Sequence, residues 1–127
     1  MSPNETVNVR YMVTDVAEAV EFYCTHFGFQ PGITSPAFAD VTKDNLRLLL
    51  SGPASSAGRP MPDGAVPGPG GWNRIHFITP DLDAEVAHLK DAGVCFRNEV
   101  VSGPGGRQIL VEDPSGNVIE LFQPATR

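Results

Sequence analysis

Two stretches of the chain carry the same hydrophobic pattern. They are "NVRYMVTDVAEAVEFYCTHFGF", from Asn8 to Phe29, and "RIHFITPDLDAEVAHLKDAGVCF", from Arg74 to Phe96. Each opens on a short strand-like run, Val7–Val13 and Trp72–Ile78, and then reaches an aspartate, Asp15 or Asp81, placed to cap a helix by accepting backbone N–H groups. Glu18 follows Asp15 by three residues, as in a capping box. Apolar residues then recur at helical spacing: Val16, Val20, Tyr23 and Phe27 in the first stretch, and Leu82, Val86 and Leu89 in the second. Gly28 and Gly93 stand where each helix should stop. Three strand-like segments follow in each half: Gln30–Thr34, Ala37–Thr42 and Leu46–Leu50, then Cys95–Val101, Gln108–Glu112 and Asn117–Phe122. "SGPGG" and "DPSGN" supply turns between the later ones. The pattern predicts β-α-β-β-β twice. The fold class is therefore α+β, two such modules, whose mixed sheets would surround a cavity if they curve around a shared hollow.

The chain of 127 residues reads as one domain, 1–127, with module 1 at about 6–51 and module 2 at about 72–124. Between them runs "SGPASSAGRPMPDGAVPGPGG", in which 11 of 21 residues are Gly or Pro. Such a segment has little regular structure, and loops of this length are often lids or binding loops as well as plain connectors.

Strand alternation sorts the side chains by face. Val9, Tyr11 and Val13 suit packing under the first helix, and Ile75 and Phe77 under the second. Asn8, Arg10 and Met12, and Arg74 and His76, then point the other way. Matching "NLRLLLS" to "NVIELFQ" without a gap sets Leu48 opposite Glu120 and Leu50 opposite Phe122. The four equivalent free-face positions become Asn8, Leu48, Arg74 and Glu120, with Arg10, Met12, His76, Leu50 and Phe122 around them. Such a mixture of apolar, aromatic and a few polar groups is usual for a small-molecule site. Glu120 is the conspicuous member, a carboxylate set among Val118, Ile119, Leu121 and Phe122. Left buried and unpaired it would cost several kcal/mol. A metal ion, an arginine, a ligand or solvent could satisfy it, and Arg74 is the expected partner.

Composition narrows the partners. A formal charge of -6 with no Lys/Arg cluster argues against nucleic acid and anionic membranes. No apolar run approaches the roughly 18 residues of a membrane helix. "MSPNETVNVRYMV" lacks the basic-then-apolar order of a signal peptide. Cys24 and Cys95 match no metal spacing, and buried thiols in a reducing cytoplasm are the expectation.

The run from Val13 to Phe29, V-x-D-x-x-x-A-x-x-F-Y-x-x-x-F-G-F, together with the closing "DPSGNVIELF", resembles the vicinal oxygen chelate superfamily. That superfamily includes glyoxalases, extradiol dioxygenases, fosfomycin-modifying enzymes and bleomycin resistance proteins. The resemblance implies the glyoxalase/bleomycin resistance fold over nearly the whole chain. It also implies that metal-dependent members place His, Glu or Gln at the positions held here by Asn8, Leu48, Arg74 and Glu120. Leu48 cannot bind a metal, and Arg74 brings a fixed cation to the spot a dication would take. No metal and no cofactor are therefore expected.

Two functions follow from the resemblance. One is a metal-independent, cytoplasmic binding protein that sequesters an antibiotic-like natural product in a homodimer cleft. The compound would be hydrophobic, fused-ring or glycopeptide-type, with the enediynes one candidate class. Phe38, Met61, Trp72 and Phe122 would supply its apolar wall by stacking and adaptable contact. The acidic balance suits a cationic or neutral ligand. The other is a lyase, isomerase or dioxygenase acting on a small metabolite, with Glu120 as base and Arg74 steadying an oxyanion. A guanidinium partner, however, weakens a carboxylate as a base.

Overall fold

A computed structural model describes residues 6–126 of the chain. The first five residues of the amino-terminal stretch read above for a signal peptide lie outside the described residues. The chain divides into two compact units, Met1–Gly70 and Gly71–Arg127.

In the first unit the order is β1 (Val7–Met12), α1 (Val16–Phe27), β2 (Gln30–Thr34), β3 (Phe38–Lys43) and β4 (Leu46–Ser51). The sheet runs β1-β4-β3-β2, with β1 parallel to β4 and the other pairings antiparallel. The second unit repeats the plan with β5 (Arg74–Ile78), α2 (Leu82–Asp91), β6 (Cys95–Phe96), β7 (Val101–Gly103), β8 (Gly106–Glu112) and β9 (Val118–Pro124). Its sheet runs β5-β9-β8-β6, and β7 also pairs with β8.

The caps act as the residue types require. The Asp15 carboxylate accepts from the Glu18 N–H at 3.0 Å, and Asp81 accepts from Ala84 N–H at 3.1 Å. Gly28 ends α1 at φ 72°, a left-handed turn that favours glycine, and its N–H reaches the Tyr23 carbonyl. Each helix then buries its apolar stripe. Val16, Ala19, Phe22, Tyr23 and Phe27 are buried on α1, while Leu82 and Leu89 are buried on α2. Under α1 the sheet contributes Tyr11, Ala39, Val41, Leu48 and Leu50; under α2 it contributes Ile109, Val111, Ile119 and Leu121. Burying each Leu, Ile or Val of this kind stabilises by about 1.5–3 kcal/mol before conformational entropy is charged against it.

The segment expected as one strand over Cys95–Val101 is broken into β6 and β7. Between them Asn98 turns its side-chain oxygen to the Leu110 N–H at 2.9 Å, so a side chain replaces one rung of the ladder. The expectation of buried thiols is also corrected. Cys95 is exposed and Cys24 half-buried, and both are free. Burial pushes the Cys24 thiol up from its ordinary value.

The 51–71 loop is ordered at its start. Gly52 donates to the Ala37 carbonyl at 2.9 Å, and the Ser55 hydroxyl donates to the Gly52 carbonyl at 2.6 Å. A single 3-10 turn follows at Ser56–Gly58. Gly58 is packed so closely that an added Cβ would stand 2.5 Å from the Gly52 carbonyl oxygen.

Candidate functional site

The face of each sheet away from its helix is where polar chemistry gathers. In the second unit, parallel pairing sets Arg74 beside Val118, His76 beside Glu120 and Ile78 beside Phe122. Antiparallel pairing sets Gln108 beside Phe122 and Leu110 beside Glu120. Paired residues share a face, so Arg74, His76, Gln108, Glu120 and Phe122 form one patch.

Glu120 is buried at its centre, only 8% exposed. Its Oε1 accepts from Arg74 Nε at 2.9 Å. Its Oε2 lies 3.3 Å from His76 Nε2. The Gln108 amide nitrogen, turned toward the carboxylate, donates to Oε2 at 2.8 Å. Both oxygens are thus engaged, as a buried carboxylate requires. Arg74 also donates from Nη1 to the Trp72 carbonyl at 3.2 Å, which holds the guanidinium against the strand start. The His76 ring packs on Phe122 with centroids 5.1 Å apart.

Trp72 leaves 68% of its surface exposed. Its ring lies under the Arg97 guanidinium at 4.7 Å, a cation–π contact. Arg97 is itself held by the Gly71 and Gly116 carbonyls and by Glu112.

The free face of the first unit is built from different groups. Asn8 pairs with Arg47, Arg10 with Leu49, and Met12 with Ser51 in the β1–β4 register. Asp40 and Phe38 lie on the same face of β3. The Asp40 carboxylate is taken up by Arg47 and by the Ile33 N–H. Arg10 donates to the Ser51 hydroxyl at 2.8 Å.

Two expected site residues are misplaced. Leu48 and Leu50 sit on the helix face, fully buried beside Val41 and Ala39. The free-face position equivalent to Glu120 is Leu49, because Arg10 pairs with Leu49 as His76 pairs with Glu120. The cause is the hairpin before the last strand. Lys43 pairs with Leu46 around two residues, Asp44 and Asn45, while Glu112 pairs with Val118 around five. A gapless match of the two final strands therefore slips by one residue and reverses every side chain.

The other expected residues divide by position. Arg10 and Phe38 line a cavity of about 410 Å³ in the first unit. Asn8 is exposed and Met12 half-buried on that unit's free face. Met61 is exposed at a loop turn in which Gly64 donates to the Met61 carbonyl. Arg74, His76, Glu120 and Phe122 form the patch described above. Gln108, Ser51 and Arg97 join these surroundings without being marked out by the sequence pattern. Gln108 had a signal, since it alternates with Ile109 and Val111, but its partnership with Glu120 depends on the β8–β9 register.

A divalent metal does not suit these residues. The first unit offers Asn8 and Leu49, one weak oxygen donor and one alkyl group. The second offers Glu120 already bound to a guanidinium. Among the described residues no group of three or more His, Cys, Asp or Glu could hold a metal ion. No helix among them is long and apolar enough to cross a membrane.

Known proteins share this architecture. A solved superfamily member from Sphaerobacter thermophilus DSM 20745 is 27% identical at a TM-score of 0.74, covering 93% of this chain and 95% of its own. TnmS3, an antibiotic binding protein from Streptomyces sp. CB03234, is 28% identical at a TM-score of 0.72, covering 98% and 99%. Lactoylglutathione lyase from Agrobacterium tumefaciens is 19% identical at a TM-score of 0.74, covering 96% and 95%, a likeness of fold. No curated protein matches the chain. The family model described as Glyoxalase/Bleomycin resistance protein/Dioxygenase superfamily matches residues 6–121, and the chain belongs to that superfamily.

Proposed function

We propose that this protein binds a small natural product of antibiotic type and sequesters it without metal-assisted chemistry. The observation that carries the reading is the state of Glu120. Arg74, His76 and Gln108 occupy its oxygens, and Leu49 stands at the equivalent point of the other unit. Superfamily positions altered in this way have lost the donors an ion would need. The likeness to an antibiotic binding protein at 28% identity over 98% of the chain supports the same reading.

The ligand contacts come from the free faces and the loop: Asn8, Arg10, Met12, Phe38, Met61, Trp72, Arg74, His76, Glu120 and Phe122. Flat rings such as Phe38, Phe122 and the exposed Trp72 suit a conjugated, fused-ring compound. The protein acts as a homodimer in the cytoplasm. Exposed Ile33, Met61, Val66, Trp72 and Ile78 supply apolar surface for a second copy or a ligand to cover.

The test is titration of the purified protein with bleomycin, mitomycin C and an anthraquinone, following Trp72 fluorescence. Saturable quenching with intact compound recovered by mass spectrometry is expected. A chemically altered product, or a stoichiometric divalent metal with activity that chelators abolish, overturns the proposal.

A further inference from the structure

The first unit holds an arginine in an unusual setting. Arg10 is exposed at the wall of the 410 Å³ cavity, which Ala37, Phe38, Ala54, Ser55, Ser56 and Ala57 complete. Its Nη1 donates to Ser51, a neutral hydroxyl that is fully buried and so fixes one end of the guanidinium. Among the described residues no carboxylate forms an ion pair with Arg10, whereas Arg47, Arg74, Arg97 and Arg107 each have one. The nearest acid on the same face of the sheet, Asp40, is committed to Arg47 and the Ile33 N–H. Arg10 therefore keeps donors, and a full charge, available to the cavity.

The cavity walls match that charge with a ring surface. Phe38 lies directly beside Ser51 in the β3–β4 register, so ring and guanidinium flank the same anchoring residue. The segment Ala54–Ala57 closes the far wall and is held by the Ser55 bonds to Gly52 and Gly58. A larger cavity of about 650 Å³ shares Ala37 and Ala54 with this one, but it carries Asp15 and no cation. The two hollows thus differ in the charged group they present, Asp15 in the larger and Arg10 in the smaller.

We infer that the Arg10–Phe38 cavity binds an aromatic ring bearing an anionic oxygen, a carboxylate or phenolate. The guanidinium takes the oxygen and Phe38 takes the ring. This rests on the small-molecule-binding function proposed above and specifies its ligand class; it reverses the preference for cationic or neutral compounds that net charge suggests. A guanidinium presents a planar fork that suits a carboxylate, and such charge-assisted bonds are the strong ones.

The experiment is calorimetric titration of the full chain with anthraquinone-2-carboxylate and with anthraquinone-2-carboxamide, its neutral counterpart. The carboxylate should bind about tenfold or more tightly, the scale of one charge-assisted hydrogen bond. R10Q should erase the preference and R10K retain part of it; each melting temperature should fall by only a few degrees, because the buried Ser51 hydroxyl loses its Arg10 partner while the core is untouched. R10K also guards against a loss caused by misfolding in R10Q. Equal affinity for the two compounds, or a preference that survives R10Q, overturns the inference while leaving sequestration intact. If neither compound binds but bleomycin or mitomycin C still quenches Trp72, the inference falls alone. If nothing binds in either experiment, both readings fall.

Discussion

The two units follow one plan and place opposite chemistry on it. In the first, the last hairpin turns on Asp44 and Asn45, with Asp44 in the left-handed region at φ 53°. In the second, the corresponding loop runs from Asp113 to Asn117 and is closed by the buried Asp113 carboxylate. That carboxylate accepts from the Ser115 and Asn117 N–H groups at 2.9 Å each. The turns differ by three residues, and the strands that follow differ in which residues face the helix. As a result a leucine, Leu49, occupies the position held by Glu120 in the other unit. The lesson is that repeated units in one chain align by their hydrogen-bond ladders, and that turn length can move one ladder past the other.

The sharpest way to break this comparison is to place a carboxylate on each of two adjacent leucines. Leu48→Glu should cost more than about 4 kcal/mol or abolish folding, because the charge enters a sealed core with no partner. Leu49→Glu should cost no more than about 1–2 kcal/mol, since it faces away from the helix opposite Arg10. Thermal unfolding of the two variants checks it; the reverse order would restore the gapless alignment.

Next in size is the pair of turns. Asp113→Ala strands two backbone N–H groups and the Asn117 amide, and should cost about 2–3 kcal/mol. Asp44→Ala only asks alanine to adopt a positive φ, at about 1 kcal/mol. Urea denaturation midpoints measured side by side resolve the difference.

The Glu120 pair comes third. Arg74→Met should destabilise by about 2 kcal/mol, below the roughly 3–5 of a sealed ion pair, because the Arg74 side chain remains 29% exposed. Adding Glu120→Gln to that variant should recover part of the loss, since no buried charge is then left over. A double-mutant cycle measures the coupling, and additive single effects would show that the pair contributes nothing.

The smallest effect lies on the other side of the second sheet. Arg107, on the helix face of β8, bonds the Asp83 carboxylate on α2 at 2.7 Å and holds it below the usual carboxylate range. A depressed folded-state value adds stability above the unfolded carboxyl's titration, and that stability is lost as pH falls through the folded one. Both groups lie at the surface, so the slope of stability with pH should be slight. An NMR titration should find Asp83 below its ordinary midpoint, with Arg107→Gln returning it. The first unit has Ala17 at the matching helix position, so no such acid-side slope is expected there.

Much of the fold was readable from the residues. Asp15, Asp81 and Gly28 act as the caps their types suggest; the strand at Gln30–Thr34 falls where expected, and Val7–Met12 ends one residue short of the expected Val7–Val13. The Arg74–Glu120 pair was readable too, because a lone carboxylate among apolar neighbours demands a partner and the repeat supplies one. Gln108 was not, since its nearness to Glu120 arises between strands. The faces of Leu48 and Leu50 were read wrongly because the strand "LRLLLS" is apolar on both sides, and alternation carries no signal there.

Local order, then, belongs to the sequence: caps, turn residues and helical stripes are set by contacts within a few residues, which any linear reading can inspect. Strand register, the sign of charge offered by each hollow, and the freedom of Arg10 against the commitment of Asp40 depend on pairings between distant segments. Those pairings follow from turn lengths and competing partners, so they exist only once the chain has folded.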